Sequence, residues 1–451
     1  MKNVLILFVT IAVAGCVSTP DTEHDVRTSE SPGIKPPLEV KSISSDAGET
    51  RRHPQTDDGL DDYIAIALEN NSGLRASFEN WAAAMKRVTQ ATALPEPRLE
   101  WTHFVEEIQT RTGPQNNRFM LSQHIPWLSK LEKQGEVSAL AAESLWWEVQ
   151  AHKLAIVRDV KTAYYEYAYV GKSIEIVEQN LSLLKALESI VQRSIQVGAS
   201  QSPLIRLQVE IGKLENDLAS LQGFREPVSA QLRAAMNVEE PLRLPWPLLE
   251  DGALDAFFRT ELNDISARVN PELQVMLRKI HQAEAMKERA RLDRYPDFSV
   301  GLMYIETGPA VGSPRPSDSG DDPWAISVGF SLPIWNKKYD AGEREALALK
   351  RKATHELRQR QHDLRTEIDL TLYELEDAAR QINLFQQTLI PRARQALEVT
   401  EISYQSGNAT FLDIIDAQRE LLTFEKSYWR FLANYKQRVA DLELLCGGAL
   451  S

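Results

Sequence analysis

The chain repeats itself. Tyr164 lies in Ala163-Tyr164-Tyr165-Glu166 and Tyr373 in Leu372-Tyr373-Glu374-Leu375, each inside a long helical pattern. The first pattern runs to Val197-Gly198-Ala199-Ser200, the second to Gln405-Ser406-Gly407-Asn408. Tyr164 and Tyr373 stand 209 positions apart, and so do Gly198 and Gly407. Nearer the start of each half the offset is slightly smaller. Pro126-Trp127 returns as Pro333-Ile334-Trp335, and Asn71 before Leu74 returns as Asn270 before Leu273. A duplicated unit of about half the chain must be explained by any fold assigned to it. Each copy reads in one order: helix, two strands, a very long helix, a turn, and a helix.

The long helical patterns decide the architecture. From Ser129 to Val197, and from Asn336 to Ser406, the only proline is Pro391. At about 1.5 Å per residue each would span on the order of 100 Å. Val137, Leu140, Ala141, Leu145, Val149 and Leu154 recur at three- to five-residue spacing with charges between them. That pattern is coiled-coil-like, too polar for lipid and too long for a globular core. Such helices must pack sideways on similar helices. Return helices are expected from about Pro203 to Asn237 and from about Phe411 to Cys446. A first helix is expected from a cap at Asp57-Asp58 to about Leu94, ended by Pro95 and Pro97.

Strand signals precede each long helix. In the first copy, Leu99, Trp101, His103 and Val105 alternate with Glu100, Thr102 and Phe104, and Phe119, Leu121, Gln123 and Ile125 form a second face. The polar segment Gln109 to Asn117 reads as the loop between them. In the second copy, Phe298, Val300, Leu302 and Tyr304 alternate with smaller residues, as do Trp324, Ile326, Val328, Phe330 and Leu332. Glu306 to Pro323, loaded with Gly, Pro, Ser and Asp, reads as a long exposed loop. Large apolar residues on one face and small or polar ones on the other suit a lipid-facing, water-lined barrel wall. A half-buried soluble sheet has the same period of two.

The N-terminus reads as a targeting segment. Lys2 supplies a positive start, Val4 to Val13 an apolar stretch, and Val13-Ala14-Gly15-Cys16 its end. Small residues before a cysteine resemble the bacterial lipobox, which makes Cys16 the expected lipid attachment site; an ordinary signal peptide is the other reading. Val17 after the cysteine suggests sorting to the outer membrane. Residues 1–15 are thus a leader and 16–56 a flexible tether rich in Ser, Thr, Pro and charge. The first copy occupies 57–240, a Pro-containing linker 241–260, the second copy 261–446, and a short tail 447–451. No later stretch has the roughly 18 apolar residues a membrane-spanning helix needs. With Cys16 acylated, Cys446 has no partner for a disulfide and is expected to be a small buried hydrophobe.

The order of elements resembles the outer-membrane efflux proteins of the TolC family. Its most specific piece is Tyr404-Gln405-Ser406-Gly407-Asn408-Ala409-Thr410-Phe411-Leu412-Asp413-Ile414-Ile415-Asp416-Ala417-Gln418. Pro296-Asp297-Phe298 and Ser331-Leu332-Pro333-Ile334-Trp335 agree with it. The resemblance implies a mainly helical fold with a membrane β-barrel. Three chains would each give four strands to a 12-stranded barrel, and their helices would continue it as a periplasmic tunnel. It also implies a periplasmic adaptor and an inner-membrane pump of the resistance-nodulation-division type as partners. Open sheet edges are not tolerated in lipid, so four strands need an oligomer to close them.

The resemblance assigns candidate sites. Asp413 and Asp416 match the family's periplasmic gate, where three chains would stack them as two carboxylate rings that select cations. Acids in the first turn of a helix also complement its dipole without any pore, and that reading stays open. Tyr404 matches a tyrosine that helps hold the entrance shut, or packs between helices. Ala409 stands where better-known members carry Arg, so a latch through that Arg is missing. Gly198 and Gly407 are expected to turn the chain at the tunnel tip, where an adaptor would dock.

No catalytic set or cofactor motif emerges, so no enzyme activity is expected. The eight His residues are scattered without a metal-ligand pair, although His103 and His124 could face a lumen. Trp146-Trp147 and the tyrosines from Tyr164 to Tyr169 are expected to pack between helices. A net charge of −13 argues against a nucleic-acid partner. The function that the resemblance implies is a passive export duct, and Asn270-Pro271-Glu272-Leu273 with Pro296-Asp297-Phe298 resemble the branch of the family associated with heavy-metal cation efflux. The rival is a periplasmic coiled-coil adaptor or tether without a pore.

Overall fold

The computed structural model describes residues 59–196, 200–238, 244–251 and 254–450. The leader, Cys16, the tether, the cap at Asp57-Asp58 and Gly198 lie outside the described residues.

The elements run α1 (Leu60–Asn70), α2 (Ser72–Thr92), β1 (Arg98–Thr110), β2 (Gly113–Ile125), α3 (Leu128–Gln196) and α4 (Ser202–Ala235). The second copy follows with α5 (Arg259–Val269), α6 (Pro271–Leu292), β3 (Phe298–Thr307), β4 (Trp324–Phe330), α7 (Asn336–Leu384), α8 (Ile390–Gln405) and α9 (Phe411–Cys446). The twofold repeat is therefore visible element by element. Among the described residues no helix is long and apolar enough to cross a membrane.

The first helix of each copy is broken, which corrects the single helix expected up to Leu94. The repeated Asn-x-x-Leu is the reason. Asn71 leaves the helical backbone and its side chain accepts from Leu74 N at 2.8 Å. Asn270 does the same for Glu272 N and Leu273 N at 2.9 and 3.2 Å. Each asparagine caps a new helix start by satisfying donors that have no partner within it.

The return helix of each copy ends against that same break. Asn237, with φ of 55°, donates Nδ2 to Asn70 O at 2.8 Å. Gly447, with φ of 91°, sits so close to Asn270 that an added Cβ would lie 2.9 Å from its Cα. Left-handed caps of this kind satisfy the last carbonyls of a helix.

The second long helix is also interrupted, at Phe385–Leu389, by a single π-helical turn. Pro391 explains it. Proline has no N–H and its ring crowds the carbonyl four residues earlier, so the turn before it widens. Ile390 N then reaches back to Phe385 O.

The strands form one antiparallel sheet in the order β1-β2-β3-β4. The segment Gln109 to Asn117 is not a loop: both strands run on to a tight turn at Arg111-Thr112. Cross-strand pairing reaches Thr110 and Gly113, whose φ of 139° suits glycine. The loop after β3 folds back over that turn, with Gly320 N donating to Thr112 O at 2.8 Å.

The same lateral order holds below the sheet. α2, α3, α6 and α7 lie side by side, and further along α4, α3, α9 and then α7 and α8 do so. First-copy elements (β1, α2, α4) thus form one edge, and second-copy elements (β4, α7, α8) the other. Apolar cores fill each copy, around Tyr63, Val160 and Leu232 in the first and Leu273, Ile368 and Leu432 in the second. A third core joins the ends of both helical hairpins through Leu181, Leu207, Phe411 and Ile414.

Candidate functional site: the sheet faces and the helical tip

One face of the sheet is an exposed apolar band. Register places Leu99, Leu121, Leu302 and Ile326 in one row and Trp101, Phe119, Tyr304 and Trp324 in another. Trp101 is 65% exposed and Val328 69%. Toward the helices the band ends in a second aromatic group, where Phe298 pairs Phe330 and Trp127 stacks on Tyr295 at 5.1 Å. The two aromatic rows are about 20 Å apart along the strand at ~3.3 Å per residue. Aromatic rows bounding a band of that height are what an outer-membrane barrel presents to lipid.

The opposite face carries small and polar side chains. Ser122, Gly301 and Ser327 share a row, as do His124, Ser299 and Gly329. A Cβ on Gly301 would come within 2.5 Å of Ser327 Oγ, and one on Gly329 within 2.6 Å of Ser299 Oγ. The histidines part company here. His103 lies on the apolar face, its Nδ1 2.9 Å from Asn117 Oδ1, and His124 on the other, so they cannot line one lumen.

At the far end, Ser406-Gly407-Asn408 closes α8. Gly407 has φ of 79°, Gly407 N donates to Tyr404 O at 3.0 Å and Asn408 N to Ser403 O at 2.8 Å. This paired-bond cap uses glycine because a side chain is strained in that backbone region. Thr410 then starts α9. Thr410 N donates to Asp413 Oδ2 at 2.7 Å, and Asp413 N to Thr410 Oγ1 at 3.3 Å. The pair is a reciprocal capping box.

The comparisons with known proteins bear on this geometry. The model of the family described as outer membrane efflux protein matches residues 264–448. The cobalt-zinc-cadmium resistance protein CzcC of Cupriavidus metallidurans is 23% identical over 405 residues, covering 86% of this chain and 90% of that protein. Nodulation protein T of Rhizobium leguminosarum bv. trifolii is 21% identical over 408 residues, covering 86% and 85%. The outer membrane protein VceC of Vibrio cholerae superposes with a TM-score of 0.69 at 18% identity, covering 87% of this chain and 97% of that one.

The second copy matches the outer membrane efflux protein family, and the chain is similar to CzcC over 86% of its length.

That family is one of channels rather than enzymes. Its fold here, long helices with four antiparallel strands, is the one expected from the sequence.

The structure brings Asp413, Asp416, Tyr404 and Gly407 together at one tip. Tyr404 packs edge-on against Phe411, ring centroids 5.8 Å apart, so it is held by the third core. Asp413 and Asp416 are both exposed. The Thr410 hydroxyl and backbone N–H hold the Asp413 carboxyl below its usual range. Asp413 thus serves as a helix cap whatever else it does, which is the dipole reading of its position.

Sequence reasoning missed the groups that tie the hairpins together. Gln418 Nε2 bonds Asn180 Oδ1 across a buried contact between α9 and α3. Arg430 forks onto Glu166 of α3, Nη1 to Oε1 at 2.9 Å and Nη2 to Oε2 at 2.8 Å. Burial works to raise the Glu166 pKa, but the hydrogen bond and charge of Arg430 outweigh it and hold it low. Polar residues at such inter-helix positions carry little signal in a sequence already full of charge.

Proposed function

We propose that this chain is the outer-membrane exit duct of a tripartite efflux system, working as a ring of three chains. The observation that carries the reading is the pairing of an exposed apolar band with two edge strands, β1 and β4, that have no second strand partner among the described residues. A sheet edge in lipid leaves N–H and C=O groups without partners, so β4 of one chain must meet β1 of the next. The helical edges favour the same closure. Ile205, Val209 and Phe224 are exposed on α4, and Leu370, Tyr373, Val399 and Ile402 on α7 and α8. One edge of a chain meeting the other edge of its neighbour is a heterologous contact, the kind that makes a ring when the rotation between copies closes. Three chains of four strands give the 12-stranded barrel that the family resemblance implies.

In this reading Asp413 and Asp416 form the periplasmic gate, Tyr404 steadies it, and the positions of Gly198 and Gly407 receive a periplasmic adaptor. An inner-membrane pump, of the resistance-nodulation-division type, supplies energy, and Cys16 carries the lipid anchor. The cargo is a cation of the heavy-metal class. The CzcC likeness and the paired tip carboxylates support that assignment.

Reconstitution of the purified protein in a planar bilayer tests it. Cation-selective channels that lose divalent-cation block on Asp413→Ala and Asp416→Ala are expected. Failure to form any channel contradicts the duct, and block that survives both changes contradicts the gate.

A further inference from the structure

Glu210 and Arg419 are 209 positions apart, the same offset as Gly198 and Gly407. They therefore occupy the same place in the two copies, on α4 and α9, and they carry opposite charges. Arg419 Nη2 donates to Glu210 Oε1 at 2.7 Å, while its Nη1 donates to Asp416 Oδ1 at 3.1 Å. Glu210 is the more buried partner, its side chain 14% exposed against 56% for Asp416. Lys213 Nζ also donates to Glu210 Oε1, at 2.8 Å. The four groups form one line of alternating charge, Lys213, Glu210, Arg419 and Asp416, that crosses from the first hairpin to the second.

We propose that Arg419 sets the effective charge of the Asp416 ring, and that Glu210 governs how much of Arg419 reaches it. This rests on the gate reading of Asp416. A guanidinium shared between two carboxylates offsets each of them less than one committed to a single partner. Glu210, the less solvated acid, draws Arg419 away from the mouth and leaves Asp416 attractive to cations. The position equivalent to Asp416 in the first copy is Leu207, which is fully buried. The first copy thus contributes the tuning acid and the second the tuned one. Arg419 is a positioning and specificity residue here, reaching cargo only through Asp416.

The proposal predicts effects of opposite sign from two neighbouring changes. Block of the reconstituted channel by Mg²⁺ from the periplasmic side is measured for the wild type, Arg419→Gln, Glu210→Gln, Arg419→Lys and Asp416→Asn. Arg419→Gln removes the offsetting charge and lowers the half-blocking concentration. A shift of roughly three- to tenfold is the scale of an exposed ion pair repeated in three chains. Glu210→Gln releases Arg419 to Asp416 and raises that concentration by a similar factor. Arg419→Lys keeps the charge and stays near the wild type. In an Asp416→Asn background both shifts vanish. Shifts of the same sign from Arg419→Gln and Glu210→Gln, as from a simple tie between hairpins, overturn the proposal. Asp416→Asn altering block while Arg419→Gln leaves it unchanged overturns the coupling and keeps the gate. An Asp416→Asn channel that blocks like the wild type overturns both.

Discussion

Lys130 Nζ lies 2.8 Å from Asp297 Oδ1, and the pair joins the start of the first long helix to the start of the second copy's strands. The lysine side chain is only 8% exposed. Asp297 Oδ1 also accepts from Trp127 N at 3.0 Å, and Lys130 Nζ donates to Tyr295 O at 2.9 Å. Sheet and helices are thereby fixed to one another at the point where the backbone changes from one to the other.

Loss of the acid strands a buried ammonium. Asp297→Ala is expected to destabilise the protein by about 2–3 kcal/mol, because one partner of a largely buried pair is removed. Thermal unfolding in detergent measures it. The pH dependence has a definite sign. Burial alone would raise the Asp297 pKa, but the hydrogen bonds of Lys130 and Trp127 N together depress it. A depressed folded pKa contributes stability above the unfolded value, near pH 4, that is lost as pH falls through the folded value. Wild-type stability should therefore drop below about pH 4 more steeply than that of Asp297→Asn.

Gly171 lies against Trp246, where an added Cβ would come within 2.6 Å of the indole Cε3. Trp246 is itself held between Tyr167, 4.5 Å between ring centroids, and Arg225, 4.2 Å from its ring. Gly171→Ala should destabilise by about 1–3 kcal/mol through overpacking. Adding Trp246→Leu should recover part of that loss in the same unfolding assay, a coupling that independent sites would lack.

The left-handed glycines that follow α8 and α9 should differ in their sensitivity. Gly407 has open space around its missing Cβ, so Gly407→Ala carries only backbone strain, about 1 kcal/mol. Gly447→Ala carries that strain plus contact with Asn270 Cα and Val269 O, each 2.9 Å away. The expected order, Gly447→Ala clearly worse, is read from hydrogen exchange at the ends of α8 and α9.

The sheet faces should tolerate charge unequally. Val328→Lys places an ammonium in the apolar band and should destabilise by about 2–4 kcal/mol in lipid. Ser327→Lys, on the opposite face, should be tolerated and alter conductance instead. Equal effects of both changes on the yield of folded protein in membranes would contradict the assignment of faces.

Much of this was legible beforehand, for physical reasons. Period-two alternation in β3 and β4 and the proline-poor runs of α3 and α7 are strong signals, because burial of one face imposes them. The return helix ends at Cys446 as read, since Gly447 stops it. The break at Asn71 is hidden in the sequence despite the repeated Asn-x-x-Leu: an asparagine cap inside an apolar-periodic run does not disturb the period. The first hairpin is longer than its sequence signals, because Glu, Gln and Asn residues dominate strand ends that stand outside an apolar band. At the tip, the family resemblance singles out Asp413 and Asp416, whereas Arg419 and Glu210 meet across 209 positions. Nothing local marks such a pair, and only the repeat offset could have suggested it.

The central claim is closure of the open edges by copies of the same chain. Native mass spectrometry of the full-length protein extracted from membranes tests it most directly. The account predicts one dominant assembly of three chains that conducts when placed in a bilayer. A folded monomer as the sole species, or an assembly without conductance, would contradict it.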